Sequence, residues 1–286
     1  MLKKQKLILI FNLLAVILSL TGCQSLTQSS LTVAGSTALQ PIIEAAANQY
    51  RQKKPHFYIN VQGGGSGAGL SQVAEKTIDL GTSDVFAAQK PGIDDHKLQD
   101  QKIAVVGITL IINKKAGIDR LTSRQLMAIF SGQVKNWQKL GGNNLPITVI
   151  NRTSGSGTRL NFEKFALKNK SSLTTQEQSS SATAYQIVRD TPGAISYVAF
   201  PYAKAGVVKP KINGVAPTDE NVRQNRWKIW AYEHVYLQKN ASANAKKFLA
   251  YLKSAEVEKI IERLGFISIS SMQVSRDQNG RITQVN

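Results

Sequence analysis

The chain is poor in the residues that build redox, metal and hydrolytic sites. It has one cysteine, Cys23, and three histidines, His56, His96 and His234, among 286 residues. A single cysteine excludes an intrachain disulfide and the two-cysteine redox and zinc motifs. The three histidines stand in no cluster with carboxylates that would indicate a metal centre or a catalytic triad. We therefore expect no metal, no cofactor and no catalytic residue.

The chain begins with a basic segment followed by an apolar run. Residues 1–6 carry three lysines and no acid, and residues 7–20 are almost entirely apolar. This pattern is typical of a signal peptide, and the run is short for a membrane span. It ends in Leu20-Thr21-Gly22-Cys23, which resembles the lipobox of bacterial lipoproteins. We therefore predict a signal peptide over 1–22 and a lipidated Cys23.

The lipoprotein interpretation predicts where the protein is located. The lipid on Cys23 would hold it on the outer face of the cytoplasmic membrane, and the polar residues 23–30 would form a tether. Two alternatives stay open: a cleaved secretory signal with an incidental cysteine, and an uncleaved anchor helix. The lipoprotein interpretation is favoured because the only cysteine stands at the cleavage position.

Acidic residues are scarce. The chain has 18 Asp and Glu against 36 Lys and Arg, a formal net charge of +18, of which +15 remains after the three lysines of the signal peptide. Such an excess suits nucleic acid, an anionic envelope polymer or an anionic solute attracted by the field of the protein. Nucleic-acid binding needs basic residues gathered in a stripe with stacking aromatics, whereas these lysines are scattered. The sequence therefore predicts no nucleic-acid partner.

From Leu31 onward, strand and helix patterns alternate. Leu31–Ala34 and Phe57–Val61 predict strands, and apolar residues between them recur at the spacing of one helix face. Ile103–Asn113, the longest apolar run after the signal peptide, predicts a strand buried on both faces. This alternation predicts an α/β fold with mostly parallel sheets, in which ligands bind beyond the carboxyl ends of the strands.

Three short loops share one chemistry. They are Gly35–Ala38, Gly63–Gly69 and Arg152–Thr158, and each lies between a predicted strand and a predicted helix. A helix start presents unpaired N–H groups, glycine admits a ligand close to the backbone, and Ser and Thr hydroxyls add donors. One such loop is usually a helix cap. Three in one chain, one led by an arginine, predict a site for a small oxyanion.

The same loops do not favour hydrolytic chemistry. Neither Ser66 nor Ser156 has glycines at both −2 and +2, as a nucleophile elbow requires. No histidine stands in a pattern that would pair it with either serine. We predict that the protein is not an enzyme.

The loop motifs, taken in order, resemble a known family. The four motifs are Gly35-Ser36-Thr37-Ala38, Gly65-Ser66-Gly67, Gly81-Thr82-Ser83-Asp84 and residues 152–158. They occur in the order found in the phosphate-binding proteins of ABC importers, the PstS family. The stretch 229–234 and the region around Gly265 also look like Gram-positive members of that family, so the resemblance spans essentially the whole mature chain.

The resemblance implies a two-lobed type II periplasmic-binding fold with two crossover strands. Residues 31–114 and 236–286 would form the first lobe, and 115–235 the second. Ile103–Asn113 and Lys228–Tyr236 would be the crossovers. Inorganic phosphate would be held between the lobes of a monomeric binding unit and passed to ABC permease subunits in the membrane.

The resemblance also implies which residues bind phosphate. They are Ser36, Thr37, Ala38, Ser66, Ser83, Asp84, Arg152, Ser156, Gly157 and Thr158. Ala38 would contribute its backbone N–H, Asp84 would accept a proton from the ligand, and Arg152 would supply positive charge. Some members carry an acid in the arginine loop where this chain has Thr153-Ser154, which leaves open the group that orients Arg152.

Two other functions stay open at this point. One is an exported enzyme acting on phosphate esters, which the lack of a nucleophile–base pair disfavours. The other is a basic adhesion or polymer-binding lipoprotein on the same scaffold.

Overall fold

The computed structural model describes residues 29–285 of the chain. The predicted signal peptide, Cys23 and the tether as far as residue 28 lie outside the described residues. Within residues 29–285, no helix combines the length and the apolar character that crossing a membrane requires.

Strands and helices alternate along the described chain. The strands are β1 (Ser29–Gly35), β2 (Phe57–Gln62), β3 (Leu80–Ser83), β4 (Leu98–Asn113), β5 (Arg120–Leu121), β6 (Thr148–Val149), β7 (Asn151–Arg152), β8 (Glu177–Gln178), β9 (Ala194–Ala199), β10 (Val207–Val208), β11 (Lys211–Ile212), β12 (Trp230–Gln238), β13 (Val274–Arg276) and β14 (Ile282–Gln284). The α-helices are α1 (Gln40–Lys53), α2 (Ser66–Ala74), α3 (Ser123–Phe130), α4 (Gly157–Phe165), α5 (Ser181–Asp190), α6 (Asp219–Arg223), α7 (Ala243–Leu252) and α8 (Ala255–Arg263).

The first lobe is built on three parallel strands. They lie in the order β2-β1-β3, and β1 is parallel to both neighbours. β1 begins at Ser29, earlier than the predicted start at Leu31, because Ser29 and Ser30 pair with Phe57 and Tyr58 of β2. The strand therefore includes the last two residues of the segment predicted as a tether.

The first-lobe core forms where three helices cover this sheet. Ile42 and Ile43 of α1 are fully buried, as the helical spacing of apolar residues predicts. They belong to one cluster with Phe248 of α7 and Ile260 of α8. This core fixes α1, and with it the loop that joins β1 to α1.

Glycines let β1, α2 and β3 approach closely. A Cβ on Gly69 of α2 would lie 2.7 Å from the carbonyl oxygens of Ala34 and Thr82, and one on Gly81 would lie 2.4 Å from the carbonyl oxygen of Gly69. Side chains at these positions would push α2 away from the strands. The close packing places the start of α2 beside the carboxyl ends of β1 and β3.

Two long strands connect the lobes. β4 pairs antiparallel with β12 from Leu98 to Gly107 and then with β9 from Ile108 to Ile112, so that one strand takes part in both lobes. The sheet order is β2-β1-β3-β12-β4-β9-β6, with β10 also paired to β4. Parallel pairs lie within the lobes, and every antiparallel pair of this sheet involves β4 or β12. The predicted two-lobed α/β fold with two crossover strands is confirmed.

The second-lobe core is rich in aromatic rings. Phe162 of α4 stacks on Tyr197 of β9 with ring centroids 3.9 Å apart, and Phe130 of α3 packs beside both rings. All three side chains are buried. This packing fixes α4 against β9, next to the loop that begins at Arg152.

The exact lobe boundaries stay a prediction. The predicted first lobe includes all of residues 236–286. Phe266 packs in the first-lobe core, whereas Ile267 and Met272 pack in the second-lobe core. These contacts favour ending the first lobe near Phe266.

Candidate functional site

The predicted oxyanion loops meet where the two lobes touch. In the first lobe, the loop after β1 carries Ser36 and Thr37, Ser66 opens α2, and Asp84 follows β3. The N–H of Gly65 donates to the carbonyl oxygen of Gly35 at 2.8 Å, which joins two of these loops directly. All of these polar side chains are buried.

Asp84 is a buried carboxylate that is hydrogen-bonded from both lobes. Its side chain is 4% exposed. The hydroxyl of Ser36 donates to Oδ1, and the hydroxyl of Thr158, at the start of α4 in the second lobe, donates to Oδ2 at 2.7 Å. The N–H of Asp84 donates to Ser66 Oγ at 2.9 Å. Both carboxylate oxygens thus face the interlobe site.

Ser36 and Ser83 shape the loops around Asp84. Ser36 Oγ accepts from the N–H groups of Ala38 at 3.0 Å and Leu39 at 3.2 Å, which directs its own proton to Asp84. The hydroxyl of Ser83 donates to the carbonyl oxygen of Val85 at 2.7 Å and accepts from the Val85 N–H. The N–H of Ala38, predicted to bind the ligand, is therefore engaged by Ser36 in this structure.

Arg152 is the buried cation of the site, and carbonyl oxygens hold it. Its side chain is 1% exposed, and Nε and Nη2 donate to the carbonyl oxygens of Gln178 and Ser179 at 3.0 and 2.9 Å. Nη1 donates to Ser181 Oγ at 2.9 Å, and Nη2 to Thr37 Oγ1 of the first lobe at 3.1 Å. The pairing of β7 with β8 places these carbonyls beside the guanidinium. Backbone oxygens thus orient Arg152 in a chain that has no acid at 153 or 154.

The charges of Arg152 and Asp84 influence each other. Burial lowers the pKa of the Arg152 guanidinium below its ordinary value, and the negative charge of Asp84 opposes that shift. A buried cation without hydrogen-bond partners would be costly. The four acceptors around Arg152 and the nearby carboxylate together offset this cost.

Comparisons with known proteins identify the family. A family model described as a PBP superfamily domain matches residues 24–256. The phosphate-binding protein PstS of Bacillus subtilis (strain 168) is 40% identical over 297 residues, which cover 98% of this chain and 99% of that protein. This chain belongs to the PstS family of phosphate-binding proteins. The resemblance of the loop motifs is therefore confirmed.

Solved structures with phosphate-transport descriptions share the fold. A phosphate ABC transporter substrate-binding protein from Clostridium perfringens, solved with bound phosphate, has a TM-score of 0.79 and 30% identity, covering 84% of this chain and all 100% of its own. An ABC-type phosphate transport receptor from Vibrio cholerae has a TM-score of 0.68 and 27% identity, with coverage of 84% and 100%.

The start of α4 brings second-lobe residues to this junction. Ser156 Oγ caps the helix by accepting from the N–H of Arg159 at 3.3 Å. Gly157 contacts the first lobe directly, because a Cβ built on it would lie 2.3 Å from Ser66 Oγ and 2.9 Å from Asp84 Cβ. The predicted residues Ser156, Gly157 and Thr158 are thus brought against Ser66 and Asp84.

The structure adds residues that the sequence did not reveal. Ser181, the first residue of α5, accepts from Arg152. The hydroxyl of Tyr202 donates to the carbonyl oxygen of Thr37 at 2.7 Å across the lobes, and Asn161 Nδ2 donates to the carbonyl oxygen of Asp84 at 2.7 Å. A serine before an apolar helix pattern could have indicated α5. No local pattern indicated Tyr202 or Asn161.

The polar groups gathered at this junction are of the kind that bind an anion. His234 Nδ1 lies 2.8 Å from Asp100 and 3.4 Å from the Tyr236 hydroxyl, so these bonds connect it to no loop serine. Residues 29–285 contain no group of three or more His, Cys, Asp and Glu side chains that could hold a metal ion. The hydroxyls of Ser36 and Thr158 donate to the Asp84 carboxylate, and the Arg152 guanidinium and the start of α4 lie at the same junction, which are groups that recognise oxyanions.

Gly157 generates a prediction about closure. We expect Gly157→Ala to keep the lobes apart in the presence of phosphate, because its Cβ would overlap Ser66 Oγ. Overpacking costs about 1–3 kcal/mol, which corresponds to about 5- to 150-fold weaker binding. Calorimetry should show this loss, and solution scattering should show a larger radius of gyration than that of the phosphate-saturated parent.

Gly155→Ala is the matched control, because a Cβ at Gly155 would meet no atom within 4 Å. It should behave like the parent. A Gly157→Ala protein with the affinity and the radius of the parent would contradict the direct contact between the lobes at this position.

Proposed function

We propose that the protein captures inorganic phosphate outside the cytoplasm and delivers it to the membrane permease of an ABC importer. The observation that carries the proposal is the burial of Asp84 and Arg152 at the junction of the lobes, where each is hydrogen-bonded by both lobes. The relatives support it, since PstS proteins are named for phosphate and the C. perfringens protein was solved with phosphate bound.

Neutral donors and one cation suit a small, strongly hydrated anion. Tight binding of phosphate needs short directional bonds to all four oxygens in a site from which water is excluded. Thr37 and Ser66 would provide donors from the first lobe, and the N–H of Ala38 would do so by exchanging its bond to Ser36 Oγ for one to the ligand. Arg152 and the start of α4, with Ser156, Gly157 and Thr158, would provide them from the second. Ser36 and Ser83 would hold the loops in place.

Asp84 makes the site selective for phosphate over sulfate. Inorganic phosphate retains at least one proton near neutral pH, because its last ionisation occurs only far above neutral pH. That proton can be donated to the Asp84 carboxylate, which is already held by Ser36 and Thr158. Sulfate has no such proton and would place two acceptors against each other.

Closure couples ligand binding to the relative position of the lobes. A ligand shifts a conformational equilibrium only by its difference in affinity for the two states. Phosphate would meet Asp84 and Thr37 on one side and Arg152 and Thr158 on the other only when the lobes are in contact. One chain supplies both halves of the site, so we propose a monomeric binding unit.

Membrane attachment is the part of the proposal that rests on the sequence. The basic start, the apolar run and the Leu20-Thr21-Gly22-Cys23 motif support lipidation of Cys23. A lipid there would keep the protein on the outer face of the cytoplasmic membrane, within reach of the permease.

Arg152 should contribute the largest single share of the affinity. We expect Arg152→Ala to weaken phosphate binding by about 2–5 kcal/mol, the range for truncating one partner of a buried charge pair. Calorimetric titration should show one equivalent of phosphate bound by the parent and a large loss in the variant. Arg120→Ala is the control, because Arg120 is exposed and pairs with its neighbour Asp119. An Arg152→Ala protein that binds within a few-fold of the parent would remove Arg152 from the site.

Asp84 should set the preference for phosphate over sulfate. A site built around a specific hydrogen bond rejects an analogue that lacks it by about 10⁴-fold or more. In Asp84→Asn the amide can also donate, so sulfate should gain far more than phosphate, and phosphate itself should lose little. Competition titrations of both anions measure the preference. Asp79→Asn is the control, because Asp79 precedes β3 at its opposite end and accepts from the Thr32 N–H. An unchanged preference in Asp84→Asn would assign selectivity to other residues.

Cys23 should determine membrane attachment. We expect Cys23→Ser to be released from membranes or to accumulate as an unprocessed precursor, because the lipid acceptor is lost. Ser25→Ala, close behind the cleavage position, should leave fractionation and migration unchanged. If Cys23→Ser partitions and migrates like the parent, the lipoprotein assignment fails while the phosphate site stands.

A further inference from the structure

Glu233 is a fully buried carboxyl group that the binding site described so far does not use. It lies on the crossover strand β12, and its side chain is 0% exposed. Neither of its carboxyl oxygens has a hydrogen-bond partner by geometric criteria among the described residues. A buried carboxyl group without a partner is costly, so its retention at this position calls for a physical explanation.

The strand register places Glu233 opposite Asp84. β12 runs antiparallel to β3, with Val235 paired to Thr82 and His234 paired to Ser83. Extending this register by one residue on each strand places Glu233 opposite Asp84, the residue that follows β3, and the two carboxyl groups interact. Side chains directly opposite each other in an antiparallel pair have Cβ atoms about 4.5–5.5 Å apart. The two carboxyl groups therefore come within reach of each other on one face of the sheet.

A β-bulge lies at this point. The pairing of β12 with β4 shifts register between Glu233 and His234. The extra residue is Ile103 of β4, which pairs with neither Glu233 nor His234. His234 contacts Asp100 of β4, and the Lys102 ammonium lies 3.9 Å from the centroid of the Tyr232 ring. Both neighbours of Glu233 thus interact with β4 residues.

Two adjacent buried carboxyl groups cannot both carry a full charge without a large cost. Burial raises the pKa of Glu233 well above its ordinary value, and the negative charge of Asp84 raises it further. The Tyr202 hydroxyl also interacts with Glu233 and brings no positive charge. The cation Arg152 faces Asp84. Glu233 is thus the member of the pair that favours the neutral form, whereas Asp84 accepts hydroxyl hydrogen bonds at both oxygens, as a carboxylate does.

A neutral carboxylic acid has one O–H donor, and the Asp84 carboxylate can accept it. A carboxylate offers about four lone-pair sites on its two oxygens. In the structure Ser36 donates to one oxygen of Asp84 and Thr158 to the other. Room therefore remains on Asp84 for a third donor from Glu233 and for the proton of a ligand.

We propose that Glu233 acts as a neutral carboxylic acid whose O–H donates to the Asp84 carboxylate and so holds Asp84 in place to accept the proton of the bound anion. Glu233 is then a positioning residue for selectivity. It adds a donor beside the binding site without adding a charge. This inference rests on the proposed phosphate site.

Two substitutions separate a hydrogen-bonding role from a packing role. Glu233→Gln keeps the shape and a donor for Asp84. Glu233→Leu keeps most of the volume and removes the donor. Hydrogen bonds to charged groups are worth about 10- to 100-fold in an equilibrium constant. We expect the Gln protein to bind phosphate within a few-fold of the parent, and the Leu protein to lose about 10- to 100-fold of its phosphate-to-sulfate preference.

Infrared difference spectroscopy of the parent against Glu233→Gln at neutral pH tests the protonation state directly. The spectrum should contain the carbonyl band of a protonated carboxylic acid. Glu75→Gln, which removes an exposed carboxyl group at the end of α2, should instead remove carboxylate bands. Because the Gln variant conserves shape, this comparison holds even if Glu233→Leu does not fold.

The proposal is overturned if the difference spectrum shows an ionised Glu233, if the Gln protein loses the phosphate-to-sulfate preference, or if a folded Leu protein keeps it. Failure of the proposed function is recognised separately, since the parent itself would then not bind phosphate.

Discussion

The structure depends on one buried carboxylate shared by two lobes. Asp84 accepts from Ser36 on its own lobe and from Thr158 on the other, and it lies where β1, α2 and β3 come together. Burying a carboxylate requires several donors, and no single loop supplies them. The Asp84 carboxylate can therefore be buried here only because two glycines allow close packing. Gly69 lets α2 approach β1 and β3, and Gly157 lets the start of α4 approach Asp84.

Arg152 is a buried cation, and it likewise needs several hydrogen-bond partners, in this case acceptors. Carbonyl oxygens from the β8 segment, the hydroxyl of Ser181 and the hydroxyl of Thr37 take up its donors. Carbonyl oxygens orient a guanidinium without neutralising it, whereas an acid in the arginine loop would do both. The charge of Arg152 thus stays available to an anion, and among the described residues Asp84 nearby opposes it. With Glu233 neutral, the site carries little net charge before a ligand enters.

The sequence predicted those features that follow from local pattern. Strand–helix alternation located the loops, and loop chemistry together with family resemblance selected Asp84, Arg152 and Thr158. Contacts that join distant segments gave no local signal. Tyr202 and Thr37, which are hydrogen-bonded, are 165 positions apart in the sequence, and Arg152 and Ser181 are 29 positions apart. Glu233 was part of a recognised motif, but its position opposite Asp84 follows only from the register of β12 on β3. The start of β1 at Ser29 was likewise set by pairing with β2.

The central claim is that one phosphate ion is bound by both lobes between Asp84 and Arg152. The most direct measurement is a crystal structure of the protein grown with phosphate. The account predicts a phosphate with one oxygen hydrogen-bonded to Asp84 and others to Arg152, Thr37 and Thr158, enclosed by lobes in contact. A phosphate bound by one lobe alone, or a saturated crystal with phosphate outside this junction, would contradict it.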